Sequence, residues 1–117
     1  MKFKFEDLKI WHKSMDLGEE IYHLIKQFPE SEKFNLSSQT LRAVDSIALN
    51  ISEGSILQTG AEYKRFLGYS IRSLAEVATC LHKAKRRNYI SSEEFDHFYK
   101  ECHNLMNMMI AFRKVIK

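Results

Sequence analysis

The sequence predicts an all-α fold: one antiparallel up-down-up-down four-helix bundle, a single domain over residues 1–117. Three observations carry this. Apolar residues recur at three- and four-residue spacing in four separate stretches, the period of helices packed on other helices. Start and stop signals fall between the stretches, and the short links make sequential helices antiparallel neighbours. Four glycines and one proline in 117 residues are too few for a sandwich of short strands joined by tight turns.

The first helix is predicted near residues 7–28. Its seam reads Leu8, Trp11, Met15, Gly18, Tyr22 and Ile25, widened by Ile21 and Phe28. Pro29 stops it, having no amide hydrogen and crowding the preceding turn. After a polar connection, the second helix is predicted over residues 37–54, with Ser37 or Ser38 as N-cap. Its seam is Leu41, Val44, Ala48 and Ile51, with Ile47 beside it, and Gly54 suits a left-handed C-terminal residue.

Thr59 and Glu62 have the spacing of a capping box, as do Ser91 and Glu94. These mark a third helix over residues 60–88 and a fourth over 91–116. Helix three carries two apolar or small stripes: Tyr63, Phe66, Ser70, Ser73, Val77, Cys80 and Ala84, then Leu67, Ile71, Leu74, Ala78 and Leu81. So wide a stripe predicts contacts with several helices or with a second subunit. Helix four shows the cleanest seam, Phe95, Phe98, Cys102, Leu105, Met109, Phe112 and Ile116.

Several function classes are excluded by composition. No apolar run approaches the roughly 18 residues that a membrane span needs. The opening Met1-Lys2-Phe3-Lys4-Phe5-Glu6-Asp7 turns acidic where a signal peptide would need its apolar stretch. Two cysteines make no secreted disulfide framework and point to a reduced, cytoplasmic protein.

An enzyme is not predicted. A di-iron bundle needs two inward Glu-x-x-His pairs and two more glutamates. Glu20/His23 and Glu94/His97 have that spacing, but at about 100° per residue they do not point together into a core. Cys80 and Cys102 fall on seams and read as small core residues without an electropositive setting. His12, His82 and His103 stand isolated, and Trp11 reads as packing. No phosphate loop, nucleophile elbow or Cys-x-x-Cys occurs. Neither a cofactor nor a metal is implied.

Charge placement is more informative. Residues 1–60 hold 7 Lys/Arg against 9 Asp/Glu, residues 61–88 hold 7 against 2, and residues 89–117 hold 4 against 4, so the net +3 comes from helix three. Arg65, Arg72, Lys83 and Arg86 fall opposite its apolar stripes, with Arg87 close by, Lys64 on the flank, and Glu76 placed to pair with Arg72 at i,i+4. A basic stripe on a rigid helix suits a nucleic-acid backbone, whose counterions fixed cations displace. With no aromatic residues interleaved along the helix, phosphate contact is predicted and base stacking is not. On helix two, Arg42, Ser46, Asn50 and Glu53 share a polar face that suits solvent or a polar subunit contact.

These residues also resemble a known family. Phe5-x-Asp7-Leu8-x-x-Trp11, Ser46-Ile47-x-x-Asn50-Ile51-x-Glu53-Gly54, Phe66-Leu67, Arg72-Ser73-Leu74-Ala75-Glu76 and Tyr89-Ile90 together are similar to the 23S rRNA intervening-sequence proteins, over nearly the whole chain. The family often continues after Glu76 with a further acidic residue and a Thr-Gln pair; here Val77-Ala78-Thr79-Cys80 makes that face less polar. The resemblance implies a small bacterial four-helix bundle that assembles as a homopentamer, with no established catalytic role. It adds Glu76 to the candidate subunit-contact residues. A related branch, the accessory proteins of diversity-generating retroelements, binds nucleic acid and a reverse transcriptase. Two readings follow: sequence-tolerant binding of RNA or DNA by Arg65, Arg72, Lys83, Arg86 and Arg87 in a ring, or a structural scaffold for a protein partner such as a reverse transcriptase.

Overall fold

Four α-helices carry the chain in the computed structural model, which describes residues 1–57 and 59–117. They are α1 (Lys9–Leu24), α2 (Leu36–Ser55), α3 (Gly60–Arg86) and α4 (Ser92–Lys114), with three-ten turns at Lys4–Asp7, Ile25–Gln27 and Glu30–Glu32. Adjacent helices run in opposite directions, and named contacts show it. Trp11 Nε1 donates to Ser52 Oγ at 2.9 Å across α1 and α2. Ser70 Oγ donates to the Ile47 carbonyl at 2.8 Å across α2 and α3, while Gly54, later in α2, lies against Phe66, earlier in α3. The rings of His82 and Phe95 meet at 4.8 Å across α3 and α4. Helix α1 packs on α2 and α4, and α3 packs on the same two, so α1 and α3 lie on the diagonal. The 27 residues of α3 span about 40 Å at 1.5 Å each, nearly the full 44 Å of the molecule.

The phase of α1 differs from the expected seam by one residue. Its buried side chains are Ile10, Ser14, Leu17, Ile21 and Leu24, while Met15 and Tyr22 are 44% and 46% exposed. Ser14 hides the true seam, being polar yet fully buried; its hydroxyl is satisfied by donating to the Ile10 carbonyl at 2.7 Å. Helix α1 also ends earlier than expected, because the residue before a proline is pushed out of helical geometry. Phe28 is extended, and a three-ten turn bridges Leu24 to it.

Helix α2 starts at Leu36, ahead of both expected caps, because a carboxylate from the preceding turn does the capping. Glu32 Oε1 accepts from the Leu36 amide at 3.3 Å and from Asn35 Nδ2 at 2.9 Å. Its other oxygen accepts from Arg87 at 3.0 Å and from the Tyr89 hydroxyl at 2.6 Å. Only 7% of Glu32 is exposed, so this one carboxylate joins the α1–α2 connection to the α3–α4 turn.

Gly54 does not adopt the expected left-handed conformation; it stays helical, and among the described residues the positive φ belongs to Asn88. Gly54 is instead a close approach of α2 to α3: a Cβ there would sit 2.8 Å from Phe66 Cβ and 3.2 Å from the Tyr63 ring. Asn88 ends α3 two residues earlier than expected. At φ 62° it lets Tyr89 N–H reach the Ala84 carbonyl at 2.9 Å and its own N–H reach that of Lys85 at 3.0 Å, the paired closure of a Schellman motif. At the start of α3, the Thr59 hydroxyl accepts from the Glu62 amide at 3.2 Å. Ser91 and Glu94 form the full reciprocal capping box of α4.

The α4 seam is buried from Phe95 to Met109, as are Val44, Ile47, Ala48 and Ile51 of α2. On α3 both stripes contribute to the core, Tyr63, Ser70, Val77, Cys80 and Ala84 from one, Leu67, Leu74 and Leu81 from the other. The width of that stripe is thus used within one chain, between α2 and α4, and does not itself require a second subunit.

Two stability outcomes follow. Gly54→Ala gains helix propensity of about 1 kcal/mol but forces apart two packed backbones, typically a cost of about 1–3 kcal/mol; a net loss is expected, read as a lower urea midpoint. The Tyr89 hydroxyl, then the Leu36 amide, Asn35 and Arg87, hold the Glu32 carboxyl below its ordinary value of 4.5. A depressed carboxyl contributes stability above its unfolded pKa and loses it as pH falls through the folded one. Urea midpoints measured from pH 7 down to about pH 3 should therefore drop more steeply for the native chain than for Glu32→Gln.

Candidate nucleic-acid interface

Because α3 is packed against α2 and α4, the spacing of its outward residues is set by the helix. Arg65, Arg72, Lys83 and Arg86 fall in one sector about 60° wide at 100° per residue, along about 31 Å of axis at 1.5 Å per residue. All four are exposed. Lys83 and Arg86 form no ion pair among the described residues, whereas Arg65 pairs with Glu62 at the helix start. The expected Arg72–Glu76 pair does not form; the Arg72 guanidinium lies over the Tyr69 ring, 5.7 Å from its centre.

Arg87 departs from the set. Its guanidinium is 3.0 Å from the buried carboxylate of Glu32, so it closes the fold and is not a free phosphate ligand. Two other cations lie beside α4, off that sector. Lys85 Nζ lies 4.6 Å over the Phe95 ring, and Arg113 of α4 reaches across to donate to the Lys64 carbonyl at 2.8 Å.

Aromatic groups do accompany these cations, contrary to expectation, and two of them, Phe66 and Tyr69, stand on α3 itself. Arg65 lies over Phe66 at 5.6 Å and Arg72 over Tyr69. From α4, Phe95 and Tyr99 flank His82, with ring centres 4.8 and 5.8 Å away. His82, Lys85, Tyr99 and Arg113 are the residues the sequence reading missed. The available signal was the i,i+4 spacing of Phe95 and Tyr99 on the helix following the basic one.

The polar face of α2 is partly structural. Ser46 Oγ donates to Ser73 Oγ at 2.6 Å and Asn50 Nδ2 to the Ser46 carbonyl at 2.9 Å, and both residues are half-buried. Arg42, Ser46 and Glu76, with Phe34 and Gln39, line a polar groove of about 530 Å³ between α2 and α3; Arg42 and Glu53 are exposed. On the opposite side of α2, an apolar groove of about 600 Å³ is lined by Phe5, Trp11, Met15, Ala48 and Leu49, with Glu19 and Asp45 among its walls. Burial, then the Glu19 charge, pushes the Asp45 carboxyl up.

The remaining candidates have ordinary roles. Burial pushes the Cys102 thiol up to about 12, with Glu101 adding to the effect. Burial likewise raises the Cys80 thiol. Glu94 serves its own cap and accepts from Gln27 at 2.8 Å. Glu20 meets His97 at 3.3 Å, both exposed.

Comparison with known proteins gives a consistent result. The sequence model of the family described as 23S rRNA-intervening sequence protein matches residues 6–111. A crystal structure from Bacteroides thetaiotaomicron, of a protein of unknown function from the S23 ribosomal protein family, is 25% identical, covering 91% of this chain and 96% of that one with a TM-score of 0.84. No curated protein sequence matches. Among the described residues no helix is long and apolar enough to cross a membrane.

Proposed function

The chain belongs to the 23S rRNA-intervening sequence protein family, and from that premise we propose that it acts without catalysis, binding RNA or DNA backbone through the outward face of α3. The observation that carries this reading is the row of Arg65, Arg72, Lys83 and Arg86 on one sector of a rigid helix, with Lys83 and Arg86 unpaired among the described residues. The packed helix fixes the spacing of these cations, so phosphate contact orders side chains and no backbone. Contacts to phosphate position a duplex without reading its sequence. Arg87 is left out of the set because Glu32 holds it. The free, buried cysteines support a reducing cytoplasm as the setting.

The reading includes self-assembly, most simply a closed ring of five as the family resemblance implies. Leu49 and Met15, 61% and 44% exposed beside the α1–α2 groove, support an apolar subunit contact, and Arg42, Asn50, Glu53 and Glu76 a polar one. A ring would repeat the basic face in each subunit and multiply weak contacts into avidity. The α1–α2 groove also supports the second reading, a scaffold whose partner is a protein such as a reverse transcriptase. Salt separates the two, because phosphate contacts weaken steeply with it and apolar contacts do not.

Binding to labelled duplex should fall linearly in log affinity against log salt. Replacing Lys83 and Arg86 by glutamine should make that slope shallower by about 0.9 for each phosphate that is no longer neutralised. Native protein that binds neither RNA nor DNA at low salt overturns the reading, as does unchanged affinity after charge reversal at Arg65, Lys83 and Arg86. Native mass spectrometry should show an oligomer at micromolar concentration, and a monomer there removes the ring.

A further inference from the structure

We propose that the groove between α3 and α4 holds an unpaired nucleobase stacked on Tyr99, so that the preferred ligand is single-stranded at that point. This rests on the reading that the cations of α3 contact phosphate. The groove, about 310 Å³, is lined by the small α3 residues Ala75, Ala78 and Thr79 and by His82, Tyr99 and Met106. No carboxylate is among the described residues lining it, although the rest of α4 is rich in them.

The ring geometry favours a base over an aliphatic occupant. Phe95 is buried and stacks on Tyr99 with centres 5.5 Å apart and planes 24° apart. The Tyr99 ring is therefore held in orientation while 43% of the residue stays exposed. His82 stands edge-on to it at 5.8 Å and closes one side. A base laid on Tyr99 would extend an existing two-ring stack, with no side chain needing to be ordered first. Such stacking tolerates any base, because every base has a π-face.

Cations stand beyond both ends of the groove, about 21 Å apart along α3 at 1.5 Å per residue, so they would meet phosphates several nucleotides apart on a strand whose base enters it. On α3, Arg86 lies one turn beyond His82, and Arg72 one turn before Ala75, each on the same helix face as the groove residue it follows or precedes. The sugar–phosphate chain can thus pass along the basic sector while one base turns inward. A duplex can reach the same cations, but its bases are paired and stacked within it and cannot reach Tyr99.

The test uses the full chain, with a labelled oligothymidylate and a blunt mixed-sequence duplex of equal length, read by fluorescence anisotropy. Tyr99→Ala should weaken oligothymidylate binding about ten-fold and leave the duplex affinity and both salt slopes unchanged. Tyr99→Leu, which keeps bulk for folding, should behave like Tyr99→Ala, and Tyr99→Phe should bind like the native chain. Native affinity for oligothymidylate in both Tyr99→Ala and Tyr99→Leu overturns the stacking site and leaves phosphate binding standing. An equal loss on both probes also overturns it. Native protein that binds neither probe at low salt overturns phosphate binding, and the stacking site with it.

Discussion

The carboxylate of Glu32 is the constraint on which the bundle depends. It is buried, and it accepts from four donors that come from both inter-helix connections at one end of the molecule: the Leu36 amide, Asn35, Arg87 and Tyr89. The end of α1, the start of α2, the end of α3 and the start of α4 all meet there. A buried charge is tolerated only when its lone pairs are occupied, and removing one partner leaves the rest uncompensated. Placing one donor wrongly would therefore disturb the entry or exit of every helix, and the same arrangement removes Arg87 from the pool of free cations.

From that anchored end, α3 runs as the spine. Its two apolar stripes face α2 and α4, and the close approach at Gly54 and the Ser46–Ser73 bond hold it against α2. What remains outward is the sector with Arg65, Arg72, Lys83 and Arg86. The basic face is thus part of the exposed side of a helix whose two apolar stripes are used in the core. The same packing brings α4 alongside, so that Tyr99 and Arg113 complete a surface no single helix could make.

Features set by neighbouring residues were legible in the sequence, and those set by partners across the bundle were not. The Ser91–Glu94 box, the α4 seam and the four-helix count depend on local spacing and appeared as expected. The phase of α1 was misread because Ser14 occupies a core position and Met15 and Tyr22 occupy exposed ones, reversing the usual assignment of polar and apolar. Gly54 looked like a stop signal because its real reason, the Phe66 side chain, lies on the next helix. Arg87 looked free because Glu32 is 55 positions away in the chain. The aromatic company of His82 and Lys85 was hidden in the same way, since Phe95 and Tyr99 belong to another helix, whereas Phe66 and Tyr69, beside Arg65 and Arg72, stand on α3 itself.

The two ends of the bundle are held unequally, and this grades its local opening. Near Glu32 lie the Asn88 closure, the α4 capping box and the four-donor carboxylate. At the far end, Ile56 and Val115 are exposed apolar residues, and α3 begins with the Thr59 hydroxyl on the Glu62 amide and the single Arg113 bond to the Lys64 carbonyl. Amide exchange with solvent follows such differences, fastest where tertiary contacts are sparse. Helix α3 would then fray from Gly60 and hold firm through Arg86, so Lys83 and Arg86 sit on backbone that stays closed longest, while Arg65 rides on the segment that breathes.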